Sequence, residues 1–261
     1  PDGCLCESSL ESAAPHQAYA ADPINTATGA VSEAATDIAL PGVGVPFEFT
    51  RSYTSIDRTD GPLGPGWTHL YNASLENDGA GVTVRSENGQ QGRFLHLGSG
   101  VYQSPVGMKA KLTLANGTYT LRTSRNRTLT FDGTGRLTGI RERGKGITLQ
   151  YINTGDNPTR IVDSVGRLIT LSYSTDNARL ERLTLADGRY VEYGYSQDAA
   201  RRLVSVRDRD GKTRTFGYDP VHKYLESEHD RRGNRVFLNE YDASGRAIRQ
   251  TDAKGGVTTF A

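Results

Sequence analysis

The feature that most constrains this chain is a repeat of 22 or 23 residues that occupies residues 120–261. An aromatic residue ends each unit, and successive tyrosines are separated by 22, 22, 23 and 23 residues. The aromatic markers are Phe131, Tyr151, Tyr173, Tyr195, Tyr218 and Tyr241. A fixed period of this size is typical of architectures in which each unit packs on its neighbours. We therefore divide residues 120–261 into about six units of roughly 22 residues.

Glycines keep the same period and lie in a turn motif. In Asp163-Ser164-Val165-Gly166, the aspartate can accept backbone N–H bonds, and the glycine can adopt the left-handed conformation. This pattern is typical of a three-residue hairpin loop with a bulge. The motif recurs, with Asp187-Gly188 as a shortened form. The predicted turn residues are Asp163, Gly166, Asp187, Gly188, Asp208, Gly211, Asp230, Gly233, Asp252 and Gly255.

Each unit is predicted to form two antiparallel strands of about 5–7 residues with a turn at each end. The alternation of Ile169, Leu171 and Tyr173 places them on one face of a strand. Aromatics at strand ends favour packing between strands over a platform for sugar or nucleic acid. Because sheet twist has a fixed hand, a long meander coils. We expect an all-β fold: an antiparallel meander of hairpins curling into a spiral β-shell, with an N-terminal β capping segment.

Residues 22–119 are predicted to form a β domain that precedes the repeats. The segment 47–53 alternates apolar and polar residues, which is typical of a half-buried strand. The loop 61–67 is too rich in Gly and Pro for a helix or a central strand, and we expect Trp67 to pack beneath it. Asn88-Gly89 between two alternating segments predicts a hairpin. Residues 1–21 predict no regular element and form an arm or plug segment in this division.

Charge and composition exclude several classes of protein. Residues 1–119 carry 6 basic and 12 acidic side chains, and residues 120–261 carry 25 and 18, so the net charges are −6 and +7. Mixed signs without long basic runs favour a solvated strand face over a nucleic-acid site. No apolar run reaches the roughly 18 residues of a membrane span. No basic region followed by an apolar stretch marks a signal peptide.

Candidate catalytic and metal-binding residues are sparse. Cys4 and Cys6 are too close for an unstrained disulfide, and with His16 they could bind a metal only if a second pair of ligands existed. No such pair is evident, so a plain reduced pair is favoured. The sequence contains neither the nucleophile motif Gly-x-Ser-x-Gly nor a phosphate-binding loop. We therefore predict no enzymatic activity, no cofactor and no metal for this chain.

Several motifs resemble the Rhs family of tyrosine–aspartate (YD) repeat proteins. Residues 241–246 match the Tyr-Asp-x-x-Gly-Arg pattern fully, and residues 131–136 match it with Phe for Tyr. Segments 22–29, 40–44, 51–53 and 61–69 resemble, in order, the domain that precedes the repeats in bacterial Rhs proteins. The most specific of these is Gly61-Pro62-Leu63-Gly64-Pro65-Gly66-Trp67. The resemblance covers roughly residues 22–261.

The resemblance implies a structural part of a hollow β-cage that encapsulates a C-terminal toxin for delivery to a rival or host cell. Members include polymorphic toxins and type VI secretion effectors, made in the bacterial cytoplasm and then secreted or delivered. The implied partners are the remainder of the shell, the enclosed toxin, and a secretion spike with its chaperone. Several members cut themselves, so Pro1 is a candidate processing end. The Asp-Pro-x-Gly motif of the C-terminal cut does not occur in this sequence.

An alternative function is a YD-repeat surface adhesin or carbohydrate-binding module that uses exposed Tyr and Arg side chains. Binding of the chain to a glycan array would favour this alternative. Further repeats followed by an unrelated C-terminal region would favour the shell.

Overall fold

The computed structural model describes residues 24–25, 28–123, 126–152 and 155–260. The predicted arm at 1–21, with Pro1, Cys4, Cys6 and His16, lies outside these residues. The described residues contain 25 β-strands and one short 3₁₀ turn at Leu70–Asn72. Alternating Thr, Val, Leu and Tyr residues between Gly-containing turns favour extended structure over helix. The all-β prediction is confirmed.

The first six strands build an N-terminal sheet and a small hairpin. In the N-terminal sheet the strand order is β1-β2-β3-β6, and every neighbouring pair is antiparallel. The hairpin is β4 with β5. The bounds are β1 Ile24–Asn25, β2 Ala30–Leu40, β3 Phe47–Thr54, β4 Asp60–Gly61, β5 Gly64–Pro65 and β6 Trp67–His69.

The remaining strands form one long sheet, β7 to β25, in which each strand pairs antiparallel with the next along the chain. The bounds are β7 Ser74–Asn77, β8 Gly81–Arg85, β9 Gln91–Gly98, β10 Val101–Gln103, β11 Ala110–Ala115, β12 Thr118–Thr123, β13 Thr128–Phe131, β14 Leu137–Glu142, β15 Lys145–Gln150, β16 Arg160–Val162, β17 Leu168–Tyr173, β18 Leu180–Thr184, β19 Tyr190–Tyr195, β20 Leu203–Arg207, β21 Thr213–Tyr218, β22 Leu225–His229, β23 Arg235–Tyr241, β24 Ala247–Asp252 and β25 Val257–Thr259. The predicted antiparallel meander is confirmed, and the Asn88-Gly89 hairpin joins β8 to β9.

The long sheet curls but does not close. Ser74, at the start of β7, forms an isolated bridge with Arg136, and the Leu75 N–H donates to the Gly135 carbonyl oxygen at 2.9 Å. These contacts bring the first strand back to the turn between β13 and β14. The strands from β7 to β14 therefore bend around one face.

The structure has no break at the predicted boundary between residues 119 and 120. Strand β12 runs through it and pairs with both β11 and β13. The change from one sheet to the other lies instead between β6 and β7. The reason is that residues 74–119 already form strands that continue the hydrogen-bonded ladder of the repeats, although they lack the repeat's sequence markers.

The core lies between the inner face of the long sheet and the N-terminal sheet. Five aliphatic residues stand in one row across neighbouring strands of the long sheet, and all are almost fully buried: Leu112, Leu121, Leu129, Ile140 and Ile147. Burial of each such side chain stabilises the fold by about 1.5–3 kcal/mol. Phe49 of β3 reaches Tyr193 of β19, with 6.0 Å between ring centroids. The N-terminal sheet therefore covers the inner face of the repeats.

Candidate functional site at the seam between the two sheets

The repeat turns are built around one carboxylate each. Asp163 accepts the N–H groups of Val165 at 3.0 Å and Arg167 at 2.8 Å through Oδ1, while Oδ2 accepts Arg167 Nε at 2.5 Å. Gly166 closes the turn at φ +89°. Partial burial works to raise the pKa of Asp163, but the hydrogen bonds from Arg167 hold it below its usual value. Five further aspartates accept the same two backbone N–H bonds: Asp132, Asp208, Asp230, Asp242 and Asp252.

The turn that contains Asp187 and Gly188 is not shortened. Leu185 occupies the first position, its N–H donates to the Arg189 carbonyl oxygen at 2.8 Å, and the Gly188 N–H donates back to Leu185 at 2.9 Å. Asp187 is therefore the third residue of a turn of ordinary length, and it pairs with the Arg189 side chain at 2.7 Å. The difference from the other turns is visible in the sequence, because the residue three positions before Gly188 is Leu185 and not an aspartate.

The repeat tyrosines form a ladder of hydrogen bonds between units. The Tyr218 hydroxyl donates to the carbonyl oxygen of Leu203, which lies opposite Tyr195 where the strand register shifts. Four of the five tyrosines thus bond the carbonyl at the bulge of the preceding unit, and Tyr173 bonds that of Pro158, which precedes β16. The five distances are 2.7 Å for Tyr151 to Leu137, 2.9 Å for Tyr173 to Pro158, 2.5 Å for Tyr195 to Leu180, 2.7 Å for Tyr218 to Leu203 and 2.6 Å for Tyr241 to Leu225.

Burial keeps these hydroxyls protonated, because it raises the pKa of Tyr173 well above its usual value. Phe131 opens the series without a hydroxyl and is fully buried. We predicted the position of these aromatics at strand ends, but not a hydrogen-bonding role for the tyrosine hydroxyls. A signal was available, since Phe occurs only at the first position of the series and Tyr at every later one.

Backbone contacts join the N-terminal sheet to the repeat turns at several points. The Leu180 N–H donates to the Pro62 carbonyl oxygen at 2.8 Å, and the Ala247 N–H donates to that of Gly29 at 3.0 Å. At Gly44, where φ is +82°, an added Cβ would lie 2.7 Å from the Glu142 carbonyl oxygen. The connection after β2 therefore approaches the turn between β14 and β15 more closely than any larger residue would allow.

We call the region of contact between the N-terminal sheet (β1, β2, β3 and β6) and the repeats the seam. A buried ion pair lies at its centre. Arg51 of β3 is fully buried, and its Nε lies 3.2 Å from both carboxylate oxygens of Asp37 on β2. The guanidinium lies between two aromatic rings, 4.9 Å from the centroid of Trp67 and 4.8 Å from that of Phe216. The Tyr193 hydroxyl donates to Asp37 at 3.1 Å. Burial raises the pKa of Asp37, and the charge of Arg51 opposes that rise.

Trp67 packs between the two sheets as well as beneath its own loop. Its Nε1 donates to the Tyr218 hydroxyl at 2.9 Å, and its ring lies 5.3 Å from that of Phe216 and 5.2 Å from that of Tyr53. The Tyr53 hydroxyl accepts the Leu225 N–H at 3.0 Å. The seam thus engages the same strand ends that carry the tyrosine ladder.

The side chains of the seam pack against each other and form a structural contact between the two sheets. His69, beside Arg51 in register, is fully buried, and burial lowers its pKa to about 3, so it stays neutral. Its ring lies 4.8 Å from that of Phe49. In the part of the chain that the structure describes, no three His, Cys, Asp or Glu side chains are grouped to hold a metal. Nor does that part contain a helix long and apolar enough to cross a membrane.

A family model matches part of this region. Residues 21–94 match a domain of unknown function (DUF6531). The matched segment contains the N-terminal sheet together with β7 and β8, and so includes the residues of the buried ion pair. It is less than half of the chain, so it identifies a domain and leaves the class of the whole chain open.

The curated proteins that resemble the chain are named as tRNA nucleases. The tRNA nuclease WapA of Bacillus subtilis (strain 168) and the tRNA3(Ser)-specific nuclease WapA of Bacillus spizizenii are each 30% identical over 100 residues. Those residues are 38% of this chain and 4% of each relative. The chain therefore spans a small fraction of the length of the curated relatives it matches.

Two solved structures also resemble the chain. A crystal structure of TcdB2-TccC3-TEV gives a TM-score of 0.40 at 12% identity and covers 82% of this chain and 14% of its own. One of TcdB2-TccC3-Cdc42 gives 0.37 at 14% identity, with 91% and 14% covered. The family model and the partial match to the curated relatives agree with the resemblance to Rhs toxins.

Proposed function

We propose that this chain is the N-terminal part of a hollow Rhs-type β-shell that encloses a C-terminal toxin. The observation that carries the proposal is the seam, in which Asp37 and Trp67 of the N-terminal sheet form hydrogen bonds with Tyr193 and Tyr218 of the repeats. A sheet held in this way covers the inner face of the first repeats. A container built from a curled ribbon needs such a cover at one end.

The mechanism would be containment. A toxin enclosed by the sheet is kept from its substrate and from proteases until delivery. The chain itself has a structural role, and no catalytic step is assigned to it. Its long sheet is open, so further repeats pairing onto β25 would have to complete the wall.

The partners in this proposal are the remainder of the shell, the enclosed toxin, and a secretion spike with its chaperone. The protein would be made in the bacterial cytoplasm and then secreted or delivered into a target cell, as a polymorphic toxin or type VI secretion effector. Partial similarity to proteins named as tRNA nucleases supports a toxin-bearing whole protein.

The test is to express the full open reading frame and to digest the native protein with trypsin. We expect the region that follows the repeats to be protected and to elute with the shell in size exclusion. Trp67→Ala, which opens the seam, should expose that region, whereas Arg249→Gln on the outer surface should not. Equal digestion of that region in wild type and Trp67→Ala would contradict enclosure. Specific binding to a glycan array would favour the adhesin instead.

A further inference from the structure

A row of exposed basic residues crosses the outer face of the long sheet. Lys111 of β11 lies directly opposite Arg122 of β12, and Thr128 of β13 separates Arg122 from Arg141 of β14. Lys111, Arg122 and Arg141 are all exposed. Their inward-facing neighbours are the buried aliphatic row of the core. At about 4.8 Å between strands, the three cations span roughly 14 Å along a line perpendicular to the strands.

These three cations have no anionic partner among the described residues. None of them takes part in an ion pair, and the outward-facing positions of β11 to β15 carry no Asp or Glu. Several exposed arginines elsewhere on the long sheet are paired, as Arg182 is with Glu192 at 2.5 Å and Arg249 with Glu240 at 3.0 Å. Arg160 of β16 and Arg235 of β23 are also exposed without an ion pair to a described residue, but they stand singly on their strands. The row is therefore a local concentration of positive charge, because it places three cations within four neighbouring strands that carry no outward-facing acidic residue.

A second row supplies hydroxyl groups beside the charges. Thr113 lies opposite Thr120, Thr120 lies opposite Thr130, and Thr148 follows across Gly139. Each position is two residues from the basic row along its strand, so the two rows run side by side on the same face. The Thr130 hydroxyl donates to the Gly139 carbonyl oxygen at 3.4 Å, and the other three can donate to the non-bridging oxygens of a phosphate group beside the cations.

The curvature of the outer face of the long sheet favours some anionic partners over others. The sheet bends around its inner face, as the Ser74–Arg136 bridge shows, so the basic row lies on a convex surface. A flat lipid bilayer would contact only part of a convex row, whereas a flexible linear chain can follow it. The outward-facing positions of β11 to β15 carry no aromatic residue on which nucleic-acid bases could stack.

We propose that this row binds an extended, phosphate-bearing polyanion that lacks bases. The chain of phosphates runs across strands β11 to β14, with Lys111, Arg122 and Arg141 each beside one phosphate and the threonine hydroxyls beside their oxygens. Binding at this outer surface is independent of whether the inner face encloses a toxin.

The test measures fluorescence anisotropy with end-labelled inorganic polyphosphate and the whole chain. Three neutralised phosphates give a slope of log affinity against log salt of about −2, from roughly −0.7 per contact. The variant K111Q/R122Q/R141Q should lose at least about tenfold in affinity at low salt, with a slope near zero. Arg249→Gln removes an exposed but paired cation and should bind like wild type.

Absence of binding by wild type, or equal loss in the triple variant and in Arg249→Gln, would overturn the proposal. Urea unfolding of the triple variant should match wild type, because all three side chains face solvent. Two competitors separate the partner classes: oligothymidine with the same number of phosphates, and vesicles of phosphatidylglycerol and phosphatidylcholine in equal parts. Tighter binding to either one than to polyphosphate would reject a base-free linear chain as the partner.

Discussion

Trp67 and Tyr218 are separated by 151 residues, and the indole Nε1 of one donates a 2.9 Å hydrogen bond to the hydroxyl of the other. The same hydroxyl donates to the Leu203 carbonyl oxygen at 2.7 Å. One oxygen atom therefore links the N-terminal sheet, a repeat tyrosine and the bulge of the preceding unit. Because all three groups lie out of bulk solvent, the loss of any one leaves another without its partner.

Trp67→Phe should lower the free energy of unfolding by about 1–3 kcal/mol, because it leaves the Tyr218 hydroxyl without a buried donor. Trp67→Ala also removes the ring between the two sheets and should cost about 3–5 kcal/mol. Urea unfolding followed by circular dichroism measures both. If Trp67→Phe unfolds at the wild-type urea concentration, this hydrogen bond makes no net contribution to stability.

Removal of one member of the buried Asp37–Arg51 pair should destabilise the protein by about 3–5 kcal/mol, because the other charge stays buried without compensation. Arg51→Met and Asp37→Ala are the single variants. The double variant should lose less than the sum of the two, and the difference is the coupling free energy. Strict additivity in urea unfolding would show that the two side chains do not interact.

Gly44 and Gly144 form a matched pair for the seam. Both have positive φ, +82° and +83°, but an added Cβ at Gly44 lies 2.7 Å from the Glu142 carbonyl oxygen, and at Gly144 it meets nothing within 4 Å. Gly144→Ala should cost about 1–2 kcal/mol for the left-handed conformation alone. Gly44→Ala should cost more, since the seam must also shift. Equal unfolding midpoints for the two variants would mean that the contact at Gly44 is loose.

The turn aspartates predict a loss of stability in acid. The pKa of Asp163 is lowered in the folded protein by the hydrogen bonds from Arg167, against the opposing effect of burial. Its stabilisation is therefore fully present above the unfolded value of about 3.9 and is lost as pH falls through the lower folded value. Asp163→Asn should reduce the drop in stability between about pH 5 and about pH 2.

Asp210→Asn is the control for this pH dependence. Asp210 occupies the third position of its turn, and the carboxylate that accepts the turn's N–H bonds is that of Asp208. Urea midpoints measured across the acid range should follow the wild-type curve in Asp210→Asn. Superimposable curves for wild type and Asp163→Asn would rule out the assigned role of Asp163.

Local patterns could be read from the sequence, and long-range contacts could not. The Asp-x-x-Gly spacing indicates a turn because all its hydrogen bonds lie within five residues, as at Asp163. The Leu185 turn differs because its first residue supplies no carboxylate. We placed a boundary at 119/120 because the repeat markers begin there. Strand β12 continues across that boundary because its backbone pairing needs only an alternating segment and not the repeat markers.

The seam was beyond sequence reasoning for a different reason. Arg51 alternates with Phe49 and Tyr53 on the buried face of β3, so its position was a signal that a charge is taken into the core. The side chains that contact the Arg51 guanidinium cannot be identified from the sequence, because Asp37 and Trp67 lie on other strands and Phe216 is far away in the chain. Partner identity depends on how the two sheets are placed against each other.

The tyrosine ladder implies an order in which the units become stable during synthesis. Each of the five acceptor carbonyls is bonded by a tyrosine hydroxyl that comes 14 to 16 residues later in the chain, as that of Leu225 is by Tyr241. During synthesis from the N-terminus, domains fold in the order in which they emerge. Each unit of this ribbon would then be secured only when the next tyrosine leaves the ribosome. The long sheet would therefore extend by one hydrogen-bonded unit at a time, starting from the end that packs against the N-terminal sheet.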